Sequence, residues 1–262
     1  MFQANQTPIL SELSKSDGLT QLNSEMSPLS APQVLEKVIT DLYSGEIALV
    51  SSFGTASVVL LHMISKIAPD LPVHFIDTGK LFDETLRYRD QVQERFGLSN
   101  IQTIAPDAEC LALADRDGTL WQSDPDQCCA LRKVAPLASA LAPYSAWISG
   151  RKRYQNGQRQ ALSIVEVDGD KLKINPLTHW KAQDVQDYIT VNELPVHPLI
   201  AKGYPSIGCV PCTSTVAPGE DERAGRWRGR DKTECGIHFT TNEQAVSTSS
   251  ETDKLRRIKS WA

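Results

Sequence analysis

The 262-residue chain has no run of about 18 apolar residues, the length a helix needs to cross a bilayer, so no membrane span is expected. It also lacks an excess of basic charge. Its 27 Lys and Arg stand against 32 Asp and Glu, a net charge of −5, and such a surface does not bind nucleic acid in bulk. A local basic cluster could still hold a small anion. There is no Walker loop, no GxGxxG turn and no internal repeat, which leaves out the commonest phosphate fingerprints and the repeat architectures. The first 30 residues lack the basic-then-apolar order of a secretory signal, so a cytoplasmic location is expected. Structural disulfides are rare there, and the six cysteines point instead to metal binding or redox work.

The composition, 40% hydrophobic and 23% charged, supports one sizeable core. Residues 1–30 are polar and Ser-rich and read as a disordered arm with one short helix at Ile9–Leu13. From Ala31, Pro32 marks a helix start, and Val34, Leu35, Val38, Ile39 and Leu42 keep helical spacing up to Gly45. Ile47–Ser51 and Val73–Ile76 read as buried strands, with the helical VVLLHMISKIA between them. A helix over Asp83–Phe96 and strands at Ile101–Ile104 and Ser145–Ser149 follow. Ile164–Val167 and Leu172–Ile174 flank an Asp168-Gly169 turn, and Lys181–Val191 is helical. This order predicts an α/β fold with a doubly wound, mostly parallel sheet, whose ligands sit at the carboxyl ends of the strands. Residues 194–232 read as ordered loops around a site, and 241–262 as a flexible tail.

Three groups of residues carry chemistry. SSFGTAS, Ser51–Ser57, is a strand-to-helix turn. Gly54 allows close backbone approach, and the amides opening the next helix can hold a phosphate, although an ordinary βα turn looks much the same. Cys128-Cys129 and the CxxC pair Cys209 and Cys212 form a set of four thiols. Such a set suits a tetrahedral zinc or an iron–sulfur cubane, and the adjacent pair favours the cubane. Lys133 shares a face with Cys129 if CCALRK is helical. Cys110, in CLALA, reads as core. SGRKRYQNGQR and RAGRWRGR place Arg151, Lys152, Arg153 and Arg159, then Arg223, Arg226, Arg228 and Arg230, in two clusters whose forks match phosphate and sulfate oxygens. Solvated charge runs are the plainer account. That leaves Cys235 in KTECGIH, with His238 three residues on: a small hydrophobe, a fifth ligand or a nucleophile.

Together these residues resemble the assimilatory adenylylsulfate (APS) and phosphoadenylylsulfate (PAPS) reductase family, over roughly residues 30–240. SSFGTAS is similar to its modified pyrophosphate (PP) loop, DTGKLFDET to its second nucleotide-side motif, CCALRK plus GCVPC to the cysteines of its iron–sulfur branch, and RAGRW with ECGIH to its C-terminal signature. The resemblance implies a PP-loop fold over one domain, residues 31–240, with a catalytic segment at 220–240. It implies a [4Fe-4S] cluster on Cys128, Cys129, Cys209 and Cys212, with Lys133 between cluster and sulfate. Cys235 would attack the sulfate sulfur, and His238 would complete the signature. Ser51, Ser52, Phe53 and Gly54 would line the nucleotide, with Asp77, Thr78 and Gly79 opposite. Lys152 and Arg153 would form the basic pair after the fourth strand, and Arg223 and Arg226 would bind the phosphosulfate. The implied partners are adenylylsulfate, a reduced thioredoxin or glutaredoxin-like donor, and other copies of the chain in a homo-oligomer. The SFG form of the loop is common in PAPS-using members, whereas the four cysteines argue for APS. A tRNA-thiolation enzyme would need an SGGxDS loop, and a non-catalytic metal-binding regulator would leave Cys235 without a purpose.

Overall fold

The structure is a computed structural model that describes residues 16–155 and 157–238. Its frame is a six-stranded sheet in the order β3-β2-β1-β4-β6-β5. The strands are β1 Ile47–Val50, β2 Val73–Ile76, β3 Ile101–Ile104, β4 Ala146–Ile148, β5 Val165–Asp168 and β6 Lys171–Ile174. Every pairing is parallel except β5 with β6, a hairpin in which Val165 faces Ile174. The helices are α1 Ser16–Met26, α2 Ala31–Glu36, α3 Ser57–Ile67, α4 Asp83–Phe96, α5 Ala108–Ala114, α6 Leu120–Ser123, α7 Pro125–Cys129, α8 Ala135–Leu141 and α9 Ala182–Val191. None is long and apolar enough to cross a membrane.

Side chains alternate along each strand, so the sheet has two buried faces. Ile47, Leu49, Val73, Phe75 and Ile148 join the larger core with α1 to α4. Ala48 and Trp147 point to the other face, against Leu137 and Leu141 of α8 and Ile237 of the C-terminal segment. The chain runs from β1 outward through β2 and β3, then returns to set β4 on the other side of β1. That reversal makes a crevice at the carboxyl ends of β1 and β4, the place where open α/β sheets bind ligands.

Three differences from the sequence expectations have physical causes. Residues 16–26 of the expected arm form α1. Leu19, Leu22 and Met26 lie on one face, Met26 is fully buried, and the Asn23 amide bonds the N–H and C=O of Val165 at 3.0 and 2.9 Å. These partners lie 142 residues away, so local composition carries no sign of them. The helix expected from Ala31 to Gly45 continues beyond α2 as a π turn, Lys37–Leu42. Cys110 is exposed, not core: α5 buries none of its residues, and Leu113 on it is 84% exposed. The Ile9–Leu13 helix and the 241–262 tail lie outside the described residues.

Candidate active site

The crevice is lined first by the turn after β1. Ser51 Oγ accepts from Phe53 N–H at 3.2 Å, and Phe53 takes a left-handed φ of 49°. That conformation turns the Phe53 ring into the core, edge-on to Phe75 at 5.4 Å, while Ser51, Ser52 and Gly54 line the cleft. Phe53 is therefore a core anchor and not a lining residue. After β2, Asp77 Oδ1 accepts from Gly79 N–H at 2.9 Å. The two close a turn that presents Thr78 to the cleft, and they do not line it themselves.

After β4, Lys152 lines the cleft at 1% exposure, together with Arg151. Arg153 does not. Its Nε donates to Leu162 O at 2.8 Å, and it lines a separate surface hollow with His179 and Trp180. The basic pair at the site is thus Arg151-Lys152, one residue earlier than the motif suggests, because the 3-10 turn Arg153–Gln155 swings Arg153 outward. Arg151 is engaged by Glu166. Arg159 of the same cluster also reaches the cleft. Its place in SGRKRYQNGQR was the available signal for a residue left out of the expected site.

The four cysteines meet beside Thr78. An isolated bridge pairs Leu81 with Cys209, Val210 N–H donates to Lys80 O at 2.8 Å, and Thr78 Oγ1 lies 3.2 Å from Cys209 Sγ. Cys128 and Cys129 close α7, where Asp124 caps Gln127 N–H at 2.9 Å. The chain then enters a π turn, Ala130–Val134, ahead of Pro136, which has no N–H for the carbonyl of Arg132. Arg132 points inward to a buried ion pair with Asp115 at 2.6 Å and donates to Thr78 O at 2.8 Å. Lys133 points to the cleft. Burial alone would draw its ammonium down, but the sulfurs of Cys209, Cys235 and Cys129 outweigh it, and Lys133 is held above its ordinary range.

Two metal groups take four thiolates, a single zinc and an iron–sulfur cubane. A single tetrahedral zinc with bonds near 2.3 Å needs sulfurs about 3.8 Å apart. Among the described residues, the four sulfurs form no group within 4.8 Å of one another, so a single zinc does not fit them, while four thiols are the donor set of an iron–sulfur cluster. Burial pushes the Cys129 thiol up to about 11 and also raises Cys128 and Cys212, so the group calls for positive charge to hold it as thiolates. Trp227, whose N–H donates to Cys212 O at 3.0 Å, keeps its indole Nε1 buried with no acceptor among the described residues, a donor suited to sulfur.

The C-terminal segment closes the cleft. Arg226 stacks on Trp227 at 4.4 Å and donates to Ile207 O at 3.1 Å. Arg223 donates to Thr233 O at 3.0 Å. Glu234 is buried against Arg159 and Arg223. Cys235, half-buried, follows it into the cleft. His238 stacks on Trp147 with centroids 6.4 Å apart and planes 9° from parallel. Burial first, then the cations Arg159, Lys173 and Arg151, hold it well below the usual imidazole range, so the ring is neutral. Glu234, Cys235 and His238 bring their ligand atoms within 4.8 Å of one another, but the Glu234 carboxylate is committed to two guanidiniums and the surrounding cations oppose a metal ion.

Comparison with known proteins agrees with this geometry. The phosphoadenosine phosphosulfate reductase domain matches residues 46–215. An adenosine 5'-phosphosulfate reductase of Mesorhizobium japonicum is 50% identical over 236 residues, 90% of this chain and 92% of that one. A phosphoadenosine 5'-phosphosulfate reductase of Gloeobacter violaceus is 40% identical over 79% of this chain and 88% of its own length. The crystal structure of phosphoadenylyl-sulfate reductase from Candida auris, a phosphate complex, is 30% identical with a TM-score of 0.63, covering 76% of this chain and 97% of that one. With a parallel sheet, a cation-lined crevice at its switch point and relatives along most of its length, the chain belongs to the adenylylsulfate/phosphoadenylylsulfate reductase family.

Proposed function

We propose that the protein reduces adenylylsulfate to sulfite and AMP, with Cys235 as nucleophile and a thioredoxin- or glutaredoxin-like dithiol as reductant. The observation that carries this reading is the Cys235 thiol in one cleft with Lys133, Lys152, Arg159, Arg223 and Arg226. The thiolate of Cys235 attacks the sulfate sulfur. The sulfur–oxygen bond to the phosphate breaks, AMP leaves with the electron pair, and S-sulfocysteine remains. A donor thiolate then displaces sulfite, which leaves with the sulfur–sulfur pair, and the second donor thiol resolves the mixed disulfide. Sulfate sulfur is reduced by two electrons and the dithiol is oxidised to a disulfide.

A thiolate approaching a sulfonyl group meets anionic oxygens. The cations that line the cleft neutralise those oxygens and the charge developing on the leaving phosphate. His238, neutral and stacked on Trp147, acts by holding the segment and not as an acid. Cys128, Cys129, Cys209 and Cys212 would hold a [4Fe-4S] cluster. When bound, it supplies a compact anionic group that keeps Lys133 charged toward the substrate. The dithiol donor suits the cytoplasm.

The test is trapping: incubation with adenylylsulfate and no reductant should leave a sulfonate on Cys235, read by mass spectrometry. Full sulfite production by Cys235→Ser would sink the nucleophile assignment. A second reading, use of PAPS, draws on the SFG form of the loop at Ser52–Gly54 and on the 40% identity to a phosphoadenosine 5'-phosphosulfate reductase. Turnover of the two nucleotides at equal low concentration decides between them.

A further inference from the structure

The cleft that receives an anion already contains one. Glu234 is the single carboxylate among the described residues that line it, and it is 4% exposed. Its Oε1 accepts from Arg159 Nε at 2.7 Å and lies 2.6 Å from Nη2. Its Oε2 accepts from Arg223 Nη2 at 3.3 Å. Arg159 commits Nη1 to Gln155 as well. A substrate oxygen that approaches the Nε and Nη2 edge of Arg159, or Nη2 of Arg223, competes with Glu234 for those donors.

Glu234 is also bonded directly to Cys235 in the chain. Beyond the cysteine, the segment has anchors of a different kind. Ile237 packs against the Trp147 cluster, Lys173 Nζ donates to Ile237 O at 3.4 Å, and His238 stacks on Trp147. None of these uses a group that an anion in the cleft would compete for. Next to Cys235, the hold on the amino side is sensitive to the substrate and the one on the carboxyl side is not; further upstream, Lys232 is tied to Asp126.

We propose that Glu234 is a positioning residue that occupies the anion site on Arg159 and Arg223 until adenylylsulfate displaces it, freeing the Cys235 backbone to advance while Ile237 and His238 stay docked. This rests on the function proposed above. The competition weakens substrate binding, as any occupied ground state does, and ties movement of the nucleophile to the presence of the sulfonucleotide.

The test uses the full chain, purified without oxygen. Binding of adenylylsulfate is measured by calorimetry in Cys235→Ser, which prevents turnover, with and without Glu234→Gln. The neutral isostere should tighten binding about five- to tenfold, and Glu234→Asp should return it to the parent value. With Cys235 intact, Glu234→Gln should lower KM and kcat together. Unchanged or weaker binding in Glu234→Gln would overturn the proposal, since a carboxylate that only props the segment has no reason to compete with substrate. A measurement without that variant guards against misfolding. In the Cys235→Ser chain, saturating adenylylsulfate should speed amide exchange at residues 233–236, and slower or unchanged exchange would also overturn it. If the parent neither binds adenylylsulfate nor, with Cys235 present, makes sulfite, it is the proposed function that fails.

Discussion

Lys152 sits 1% exposed at the carboxyl end of β4 and donates to Gly150 O at 2.9 Å. Burial, and then the neighbouring Arg159 guanidinium, pull its ammonium down to about 7. An anion in the cleft favours the charged form. Below about pH 7 the free protein already carries that proton and affinity is flat. Above it the proton must be taken up on binding, so affinity falls as pH rises. KM for adenylylsulfate should thus climb above neutrality, approaching about tenfold per pH unit, and Lys152→Met should raise KM and flatten the profile. Cys235→Ser should lower sulfite formation by about 10³-fold or more while nucleotide binding persists, a split that kinetics and calorimetry read separately. At this scale the sequence was a good guide to residue type and a poorer one to direction. Lys152, Arg223 and Arg226 face the cleft, yet Phe53 and Arg153, drawn from the same motifs, turn away, because a left-handed φ and a 3-10 turn aim them elsewhere.

The elements around the site are loops stiffened by a few close approaches. A Cβ on Gly208 would run into the guanidinium of Arg226, whereas one on Gly225 would strike the backbone carbonyl of Ser214. The first obstacle is the end of a flexible side chain and can move; the second cannot. Gly208→Ala should therefore keep its melting temperature within a few degrees while kcat/KM falls about 10- to 100-fold. Gly225→Ala should lose stability outright, visible as a lower melting temperature. The Arg132–Asp115 pair, with side chains 9% and 1% exposed, ties the Thr78 turn to the π turn that carries Lys133. Breaking one side with Asp115→Asn leaves Arg132 buried without its counter-charge, and should cost about 3–5 kcal/mol in denaturant unfolding. The strands were legible from their short apolar runs, and α3, α4 and α9 from their periodicity and flanks. The first helix and both π turns were not, since α1 depends on Asn23 bonding Val165 and a π turn changes hydrogen-bond partners without changing hydrophobic spacing.

Across the whole molecule, two faces of one sheet divide the work: the larger core holds the fold, and the smaller Trp147 cluster docks the C-terminal segment. The cysteine set belongs to neither face: Cys128 and Cys129 close α7, and Cys209 and Cys212 stand at the two ends of a short 3-10 turn. With a cluster on these four, the chain purified without oxygen should carry roughly four irons with visible absorption. Cys209→Ser should lose both, and a colourless, iron-free natural chain would refute the cluster. The sequence by itself determined the parallel α/β class, the four-thiol set, the two arginine clusters and the cysteine left over, because each is written as residue type and short spacing. Only the tertiary structure decided which cations meet in the crevice, that Arg159 joins them, that Cys110 lies at the surface, and that Glu234 holds two arginines beside Cys235. Those outcomes depend on where loops distant in the chain cross at the ends of β1 and β4. The geometry of such crossings is set by packing against the whole sheet and not by any local stretch.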